Sequence, residues 1–154
     1  MTLHRRARIL AAAAAGLLAI VALAAPAAAE TGVSDGKTYS ITMTSIEGST
    51  DDHLGNWDAK IDELSGGDPA VVQAVNAAGR TAAQARIDHM NGVAAPGLEW
   101  NLDVRGEVTF RSIAIGQLVI ATSYYGAVPT VTPTAVVIDS RTAKPITVAD
   151  LFTD

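Results

Sequence analysis

The spacing of apolar residues changes period twice along this chain, and that change restricts the fold more than any other feature. From Lys37 to Ser45, Tyr39, Ile41 and Met43 alternate with Thr38, Ser40, Thr42 and Thr44. A period of two is that of a half-buried strand. From Asp68 to Gly92 the period is helical: Val71, Val75, Ala78, Ala82 and Met90 share a stripe that Val72 and Ile87 widen. Gln73, Arg80, Gln84 and Asp88 mark the wetter side, Asp68 suits the N-cap, and Pro69 suits the first helical position. Gly79 weakens the middle of this helix and leaves room for a close approach to a sheet. From Leu98 the period returns to two, with Leu98, Trp100, Leu102 and Val104 alternating with Glu99, Asn101 and Asp103.

The remaining segments complete the pattern. Glu30–Gly36 reads as a flexible lead-in, and Gly48–Gly55 as an acidic turn. Trp57, Ile61 and Leu64, at i, i+4 and i+7, predict a short amphipathic helix ending at Ser65-Gly66-Gly67. Arg105-Gly106 and Gly116-Gln117 read as turns separating strands, and Leu118–Tyr125 as a strand buried on both faces. Thr134–Asp139 is a further strand, followed by a turn at Ser140–Ala143 and an extended piece through Ile146. Strand, helix, then a meander of strands predicts an α+β domain: an antiparallel sheet with one long helix on one face.

Ahead of this domain, His4, Arg5, Arg6 and Arg8 precede an unbroken run of Ala, Gly, Leu, Ile and Val from Ile9 to Ala25. Pro26 then breaks any helix, and Ala27-Ala28-Ala29 offers small side chains before Glu30. Residues 1–29 are therefore expected to be a Sec-type signal peptide, cleaved before Glu30, with membrane contact only during export. An uncleaved anchor is the alternative, though the run is short and alanine-rich for a span. The expected location is secreted, outside the cytoplasm or in the cell envelope. The alanine content is that of a GC-rich genome such as an actinobacterium's.

The leader carries three of the eleven basic residues and none of the sixteen acidic ones. The remainder holds eight against sixteen, a formal charge of −8. Nucleic acid is not an expected partner, because no basic stripe is present to displace phosphate counterions. The expected partner is a protein, with a cationic one favoured on encounter. There is no cysteine, so stability rests on an apolar core without disulfides and no lipid anchor attaches through a thiol.

No constellation for catalysis emerges. The chain lacks a G-x-S-x-G elbow, a phosphate-binding loop, a dinucleotide fingerprint and zinc-ligand spacing. Asp51-Asp52-His53, with Asp58 nearby, has one imidazole and lacks the ligand spacing of a calcium loop, so it reads as a solvated acidic turn. His89 sits near the helix C-terminus, where a cation favours the dipole. Asp62-Glu63 and Glu99 with Asp103 are carboxylate pairs only by adjacency. Trp57 and Trp100 fall on apolar stripes and are assigned to the core rather than to a sugar-stacking surface. No catalytic, metal-binding or cofactor-binding residue is assigned, and no enzyme is expected.

The segment Thr134–Phe152, TAVVIDSRTAKPITVADLF, resembles a recurring piece of the RsiV-type extracellular domain family. That family includes lysozyme-sensing anti-sigma factor ectodomains and secreted immunogenic antigens of mycobacteria. A strand of the form D-x-x-T-x-K-x-I-T leading to D-L-F is matched here by Asp139, Lys144, Pro145, Ile146, Thr147, Asp150, Leu151 and Phe152. Upstream, the Tyr39 strand, the long helix, LEWNLDV and the strand reaching Tyr124-Tyr125-Gly126 follow the family's order, so the resemblance covers about Lys37–Asp154. Val128 stands where the family often has a histidine, and any binding role of that histidine does not carry over. The resemblance implies binding rather than catalysis. An anti-sigma role is not expected with only Met1–Arg8 ahead of the apolar run, nor is deacetylase chemistry without a metal-ligand motif. The expected function is that of a secreted, non-enzymatic binding or host-interaction protein of the antigen type. The alternatives are a binder of lysozyme or another cationic envelope protein, and a cell-envelope hydrolase. Relatives continue past D-L-F, and the Thr147/Asp150 capping pattern opens a helix at Val148, so the domain 37–154 is expected to be incomplete at its C-terminus.

Overall fold

The computed structural model describes residues 30–126 and 128–151; the expected leader over 1–29 and Phe152 lie outside them. Six strands and one long helix form a single-sheet α+β fold: β1 (Glu30–Ser34), β2 (Lys37–Ser49), β3 (Gly55–Gly66), α1 (Pro69–Val93), β4 (Trp100–Phe110), β5 (Ala114–Tyr124) and β6 (Thr130–Asp139). The strands lie side by side in chain order. Every pairing is antiparallel except β3 with β4, which run parallel from Gly55↔Trp100 to Ile61↔Gly106. The reason is the crossover: α1 carries the chain back along the sheet, so β4 restarts at the end where β3 began.

The fold departs from expectation at several points. Glu30–Ser34, expected as part of a flexible lead-in, is an edge strand paired to β2 from Glu30↔Ile41 to Ser34↔Lys37. The short helix expected from Trp57, Ile61 and Leu64 is β3. Gly55, Ala59 and Ile61 are buried at strand spacing with Trp57 half-buried among them, and Ala59 is the apolar residue that a helical count skips. Leu64 breaks that phase because β3 parts from β4 after Ile61. There the Asn76 side chain takes the place of a neighbouring strand: Leu64 N donates to Asn76 Oδ1 at 2.7 Å, and Asn76 Nδ2 donates to Leu64 O at 2.9 Å.

Two glycines also depart from expectation. Gly106 and Gly116 sit inside β4 and β5, not in turns. At Gly106 a Cβ would lie 2.9 Å from Ile61 Cγ2, so the missing side chain lets a core residue cross the strand. At Gly116 a Cβ would meet Thr109 Oγ1 at 2.7 Å. The reversal between these strands falls instead at 111–113, closed by Arg111 N donating to Ala114 O at 2.8 Å.

The long helix follows the sequence closely. Asp68 Oδ1 accepts from Ala70 N at 2.9 Å and from Val71 N at 3.4 Å, which satisfies two of the free donors of the first turn. The buried face is Val71, Val75, Gly79, Ala83, Ile87 and Met90, with Gln73, Arg80, Gln84 and Asp88 exposed. Its centre is Gly79 and Ala83 rather than the expected Ala78 and Ala82. The two smallest side chains thus meet the sheet, and the helix lies low on it.

The core divides in two. Under the C-terminal half of α1, Ala59, Ile61, Trp100, Leu102, Val104, Val119 and Ala121 pack with Ala83, Ile87 and Met90. Under the N-terminal half, Tyr39, Leu64, Ile115 and Ile138 pack with Val71 and Val75. At this second end the sheet curls until β1 reaches the β4–β5 reversal. Asp35 N donates to Ser112 O at 2.7 Å, the Ser34 hydroxyl donates to Arg111 O at 2.8 Å and also pairs with the Ser140 hydroxyl, and Phe110 packs over Gly32. Both serines are buried, so each hydroxyl has its partner inside. On the far edge, Pro133 in β6 removes a backbone donor, a placement tolerated only at a sheet edge.

Candidate functional site

Two recesses are candidates, one at the starts of β3 and β4 and one beside the C-terminal half of α1. The first lies where the sheet register brings three carboxylates side by side: Glu47 of β2 faces Asp58 of β3, and Asp58 faces Asp103 of β4. Like charges on neighbouring strands repel, and the next cross-strand row offsets the repulsion. Lys60 Nζ reaches Asp58 Oδ2 at 2.7 Å, and Arg105 Nε reaches Asp103 Oδ1 at 3.0 Å. Asn56, Asn101, Trp57 and Tyr124 complete a hollow of about 280 Å³ here. Asp58 Oδ1 is buried at its margin, without a hydrogen-bond partner among the described residues.

The second recess is a cleft of about 200 Å³ between α1 and the β5–β6 edge. Arg86, His89, Met90 and Val93 enter it from one helix face, because positions i, i+3, i+4 and i+7 lie in a row. Leu102 and Ala121 form its floor, and Ser123, Tyr125, Thr130 and Thr132 supply hydroxyls. Tyr125 Oη accepts from Ala95 N at 2.9 Å, which ties the chain after α1 to the end of β5.

The residues weighed from sequence are distributed as follows. Asp51, Asp52 and His53 form the β2–β3 turn: Asp52 Oδ1 accepts from the Thr50 hydroxyl at 2.6 Å and from Leu54 N at 3.1 Å, and His53 has φ 59°. Those two bonds, the hydroxyl foremost, lower the Asp52 pKa. His89 is exposed on α1 at the rim of the cleft. Asp62 and Glu63 engage different partners: Glu63 is clasped through both oxygens by Arg80 of α1, whose hydrogen bonds lower its pKa, while Asp62 Oδ2 is 3.4 Å from the donor Val108 N. Glu99 and Asn101 are exposed and Asp103 half-buried, as the polar face of a strand requires. Trp100 is in the core, with Trp57 half-buried and stacked on it at 6.2 Å and 14° between planes. Among the described residues, no three His, Asp or Glu side chains converge as a metal ion requires.

Sequence reasoning passed over the cleft. Its one cation, Arg86, is an ordinary polar residue in the helical pattern, and its hydroxyls come from strands whose register the sequence does not state. The only available signal was an arginine set between the buried Ala83 and Ile87 instead of on the Arg80–Gln84 side.

In three dimensions the chain is similar to the crystal structure of a member of the DUF3298 family from Bacteroides fragilis NCTC 9343, with a TM-score of 0.54. The fold is DUF3298-like. The two sequences are 9% identical, and the match covers 79% of this chain and 63% of that one, so this chain spans under two thirds of its neighbour's length. The DUF3298 type is related to RsiV-like ectodomains, and the likeness extends to the fold alone. No family model matches the sequence, and neither does any curated protein.

Proposed function

We propose that this chain is an exported, non-enzymatic binding protein of the host-interaction type, working outside the cytoplasm through a DUF3298-like domain. The observation that supports this reading is the behaviour of the segment with the RsiV-type pattern. Asp139 ends β6 and is held by Arg141, whose Nη2 lies 2.7 Å from Asp139 Oδ2. Lys144 O accepts from Asp139 N at 2.9 Å, and Ile146 N donates to Val137 O at 2.7 Å, so the chain doubles back along the edge. Asp150 Oδ2 then accepts from Thr147 N at 2.6 Å and from its hydroxyl at 2.7 Å, capping a 3₁₀ turn over Val148–Leu151. The motif residues thus interlock as one structural unit, which is what a shared domain type would preserve. In the test, protein beginning at Glu30 is assayed on generic ester substrates and culture fractions are probed for the released chain. Release without turnover is expected. Turnover abolished by a single substitution would replace this reading with a cell-envelope hydrolase.

The row Glu47, Asp58 and Asp103 favours a second reading, a binder of lysozyme or another cationic envelope protein. Lys60 and Arg105 offset two of the three charges, while Asp51 and Asp52 of the adjoining turn are exposed and add two more. Such a surface steers a basic partner and loses its grip as salt rises. Lysozyme binding that weakens with salt, and weakens further in Glu47→Gln, is the result this reading requires.

A further inference from the structure

We infer that the cleft between α1 and the β5–β6 edge is a binding site for a small organic carboxylate with a short apolar tail. The inference is independent of the protein-binding reading above and uses different charged residues. Its starting point is an imbalance. Outside the leader, acidic residues outnumber basic ones two to one, and five of the eight basic residues sit in ion pairs. Arg86 does not. Among the described residues its hydrogen-bond partner is the Thr134 hydroxyl, 3.2 Å from Nη2, and no carboxylate lies within ion-pairing distance. Among the described residues no carboxylate lines the cleft either. A half-buried guanidinium with most of its five donors uncommitted, in a domain otherwise rich in acids, is a site prepared for an anion.

The rest of the lining specifies what kind of anion. Ser123, Thr130 and Thr132 line the same cleft as Arg86, the Ser123 hydroxyl donating at 3.4 Å to Thr130 O, and Tyr125, which accepts from Ala95 N, keeps its own proton to donate. These groups suit an acceptor-rich head. The floor is different: Met90, Leu102 and Ala121 are 4%, 3% and 2% exposed, and carry no polar side-chain atom that would favour an inorganic ion. Size sets the last limit. At ~30 Å³ of liquid volume per water, a cleft of about 200 Å³ holds roughly seven heavy atoms. A carboxylate head of three heavy atoms at Arg86, with about four or five carbons over the Met90–Ala121 floor, fills that space.

The test titrates hexanoate into the isotope-labelled protein beginning at Glu30 and follows backbone amides by NMR, with hexanamide as the neutral isostere and acetate as the head alone. Hexanoate is expected to shift the Met90, Ala121 and Ser123 amides with a Kd of about 1 mM or tighter, at least tenfold below the Kd of hexanamide or acetate. Arg86→Gln should weaken hexanoate by at least about tenfold, leave hexanamide unchanged, and keep the wild-type melting temperature because Arg86 donates only to Thr134. Arg86→Lys should recover part of the affinity. The inference is overturned by equal binding of hexanoate and hexanamide, by shifts that map elsewhere, by an Arg86→Gln variant that binds hexanoate as the wild type does, or by no shift at all.

Discussion

Gln117 is the most informative residue to change in the core. It lies within β5, 1% exposed, and among the described residues neither its Oε1 nor its Nε2 has a hydrogen-bond partner. The amide is enclosed by two glycines: a Cβ on Gly79 of α1 would stand 3.0 Å from Nε2, and one on Gly106 of β4 would stand 3.1 Å from it. An unpartnered buried amide costs roughly 1–3 kcal/mol by mutational measures. Methionine matches its length and removes the polar atoms, and a near-isosteric apolar exchange costs under ~1.5 kcal/mol. Gln117→Met is therefore expected to stabilise the domain by about 1 kcal/mol, which raises the melting temperature by roughly 4 °C. Gln117→Glu supplies the opposite control. Burial raises the folded-state pKa of the introduced carboxyl, so the unfolded chain loses the proton first, and stability falls as pH rises above ~4.3. Urea melts of the three proteins at neutral and acidic pH decide the matter. A Gln117→Met variant less stable than wild type, or a Gln117→Glu variant as stable as wild type at neutral pH, would refute the claim that the amide is unpaired.

On α1, Val75→Asp should cost several kcal/mol, because Val75 is fully buried and the carboxylate would have no partner; exposed Gln84→Asp should cost only tenths, losing its bond to Asp88, and similar melting temperatures for the two would mean the helix face is wrongly assigned. Asp139 has its pKa held down to about 2, chiefly by the hydrogen bonds of Arg141. A depressed folded-state pKa adds stability above the ordinary value of 3.8 that is lost as pH falls towards about 2. Asp139→Asn should therefore flatten the melting temperature against pH in that window, and an unchanged slope would refute the pairing. Mass spectrometry of culture supernatant should find a chain beginning at Glu30 or a residue or two away; full-length chain confined to membranes would establish an anchor instead.

How far the fold was legible follows from which residues carry local information. The helix from Asp68 was readable because capping, Pro69 and an apolar stripe from Val71 to Met90 agree within one segment. Strands β2 and the first half of β4 were readable from alternation, and part of β5 from the β-rich run Leu118–Tyr125, although only Val119 and Ala121 of that run are fully buried and both faces were expected to be. The failures have a common origin in contacts between distant residues. Gly106 and Gly116 carry the local signature of a turn, yet each lies inside a strand because Ile61 or Thr109 occupies the space a side chain would need. Trp57, Ile61 and Leu64 mimic a helix because β3 changes the face it buries where it leaves β4. That departure depends on Asn76, twelve residues from Leu64, and no pattern within β3 announces it.

The candidate sites were less legible than the fold, for a related reason. A recess made by one loop leaves a local motif, whereas both recesses here are made by register. Glu47, Asp58 and Asp103 become neighbours only when β2 pairs antiparallel to β3 and β3 parallel to β4; had α1 returned the chain in the other sense, Asp103 would face a different row. Arg86 shares a cleft with Ser123 and Thr132 because the small residues Gly79 and Ala83 let α1 settle against the sheet, which fixes the height at which its C-terminal half passes the β5–β6 edge. Raising the helix by enlarging either residue would alter the cleft without touching any of the residues that line it. The glycine and alanine that shape the core thus also set the dimensions of the cleft, and selection on the cleft would act on residues that no search for chemical groups could single out.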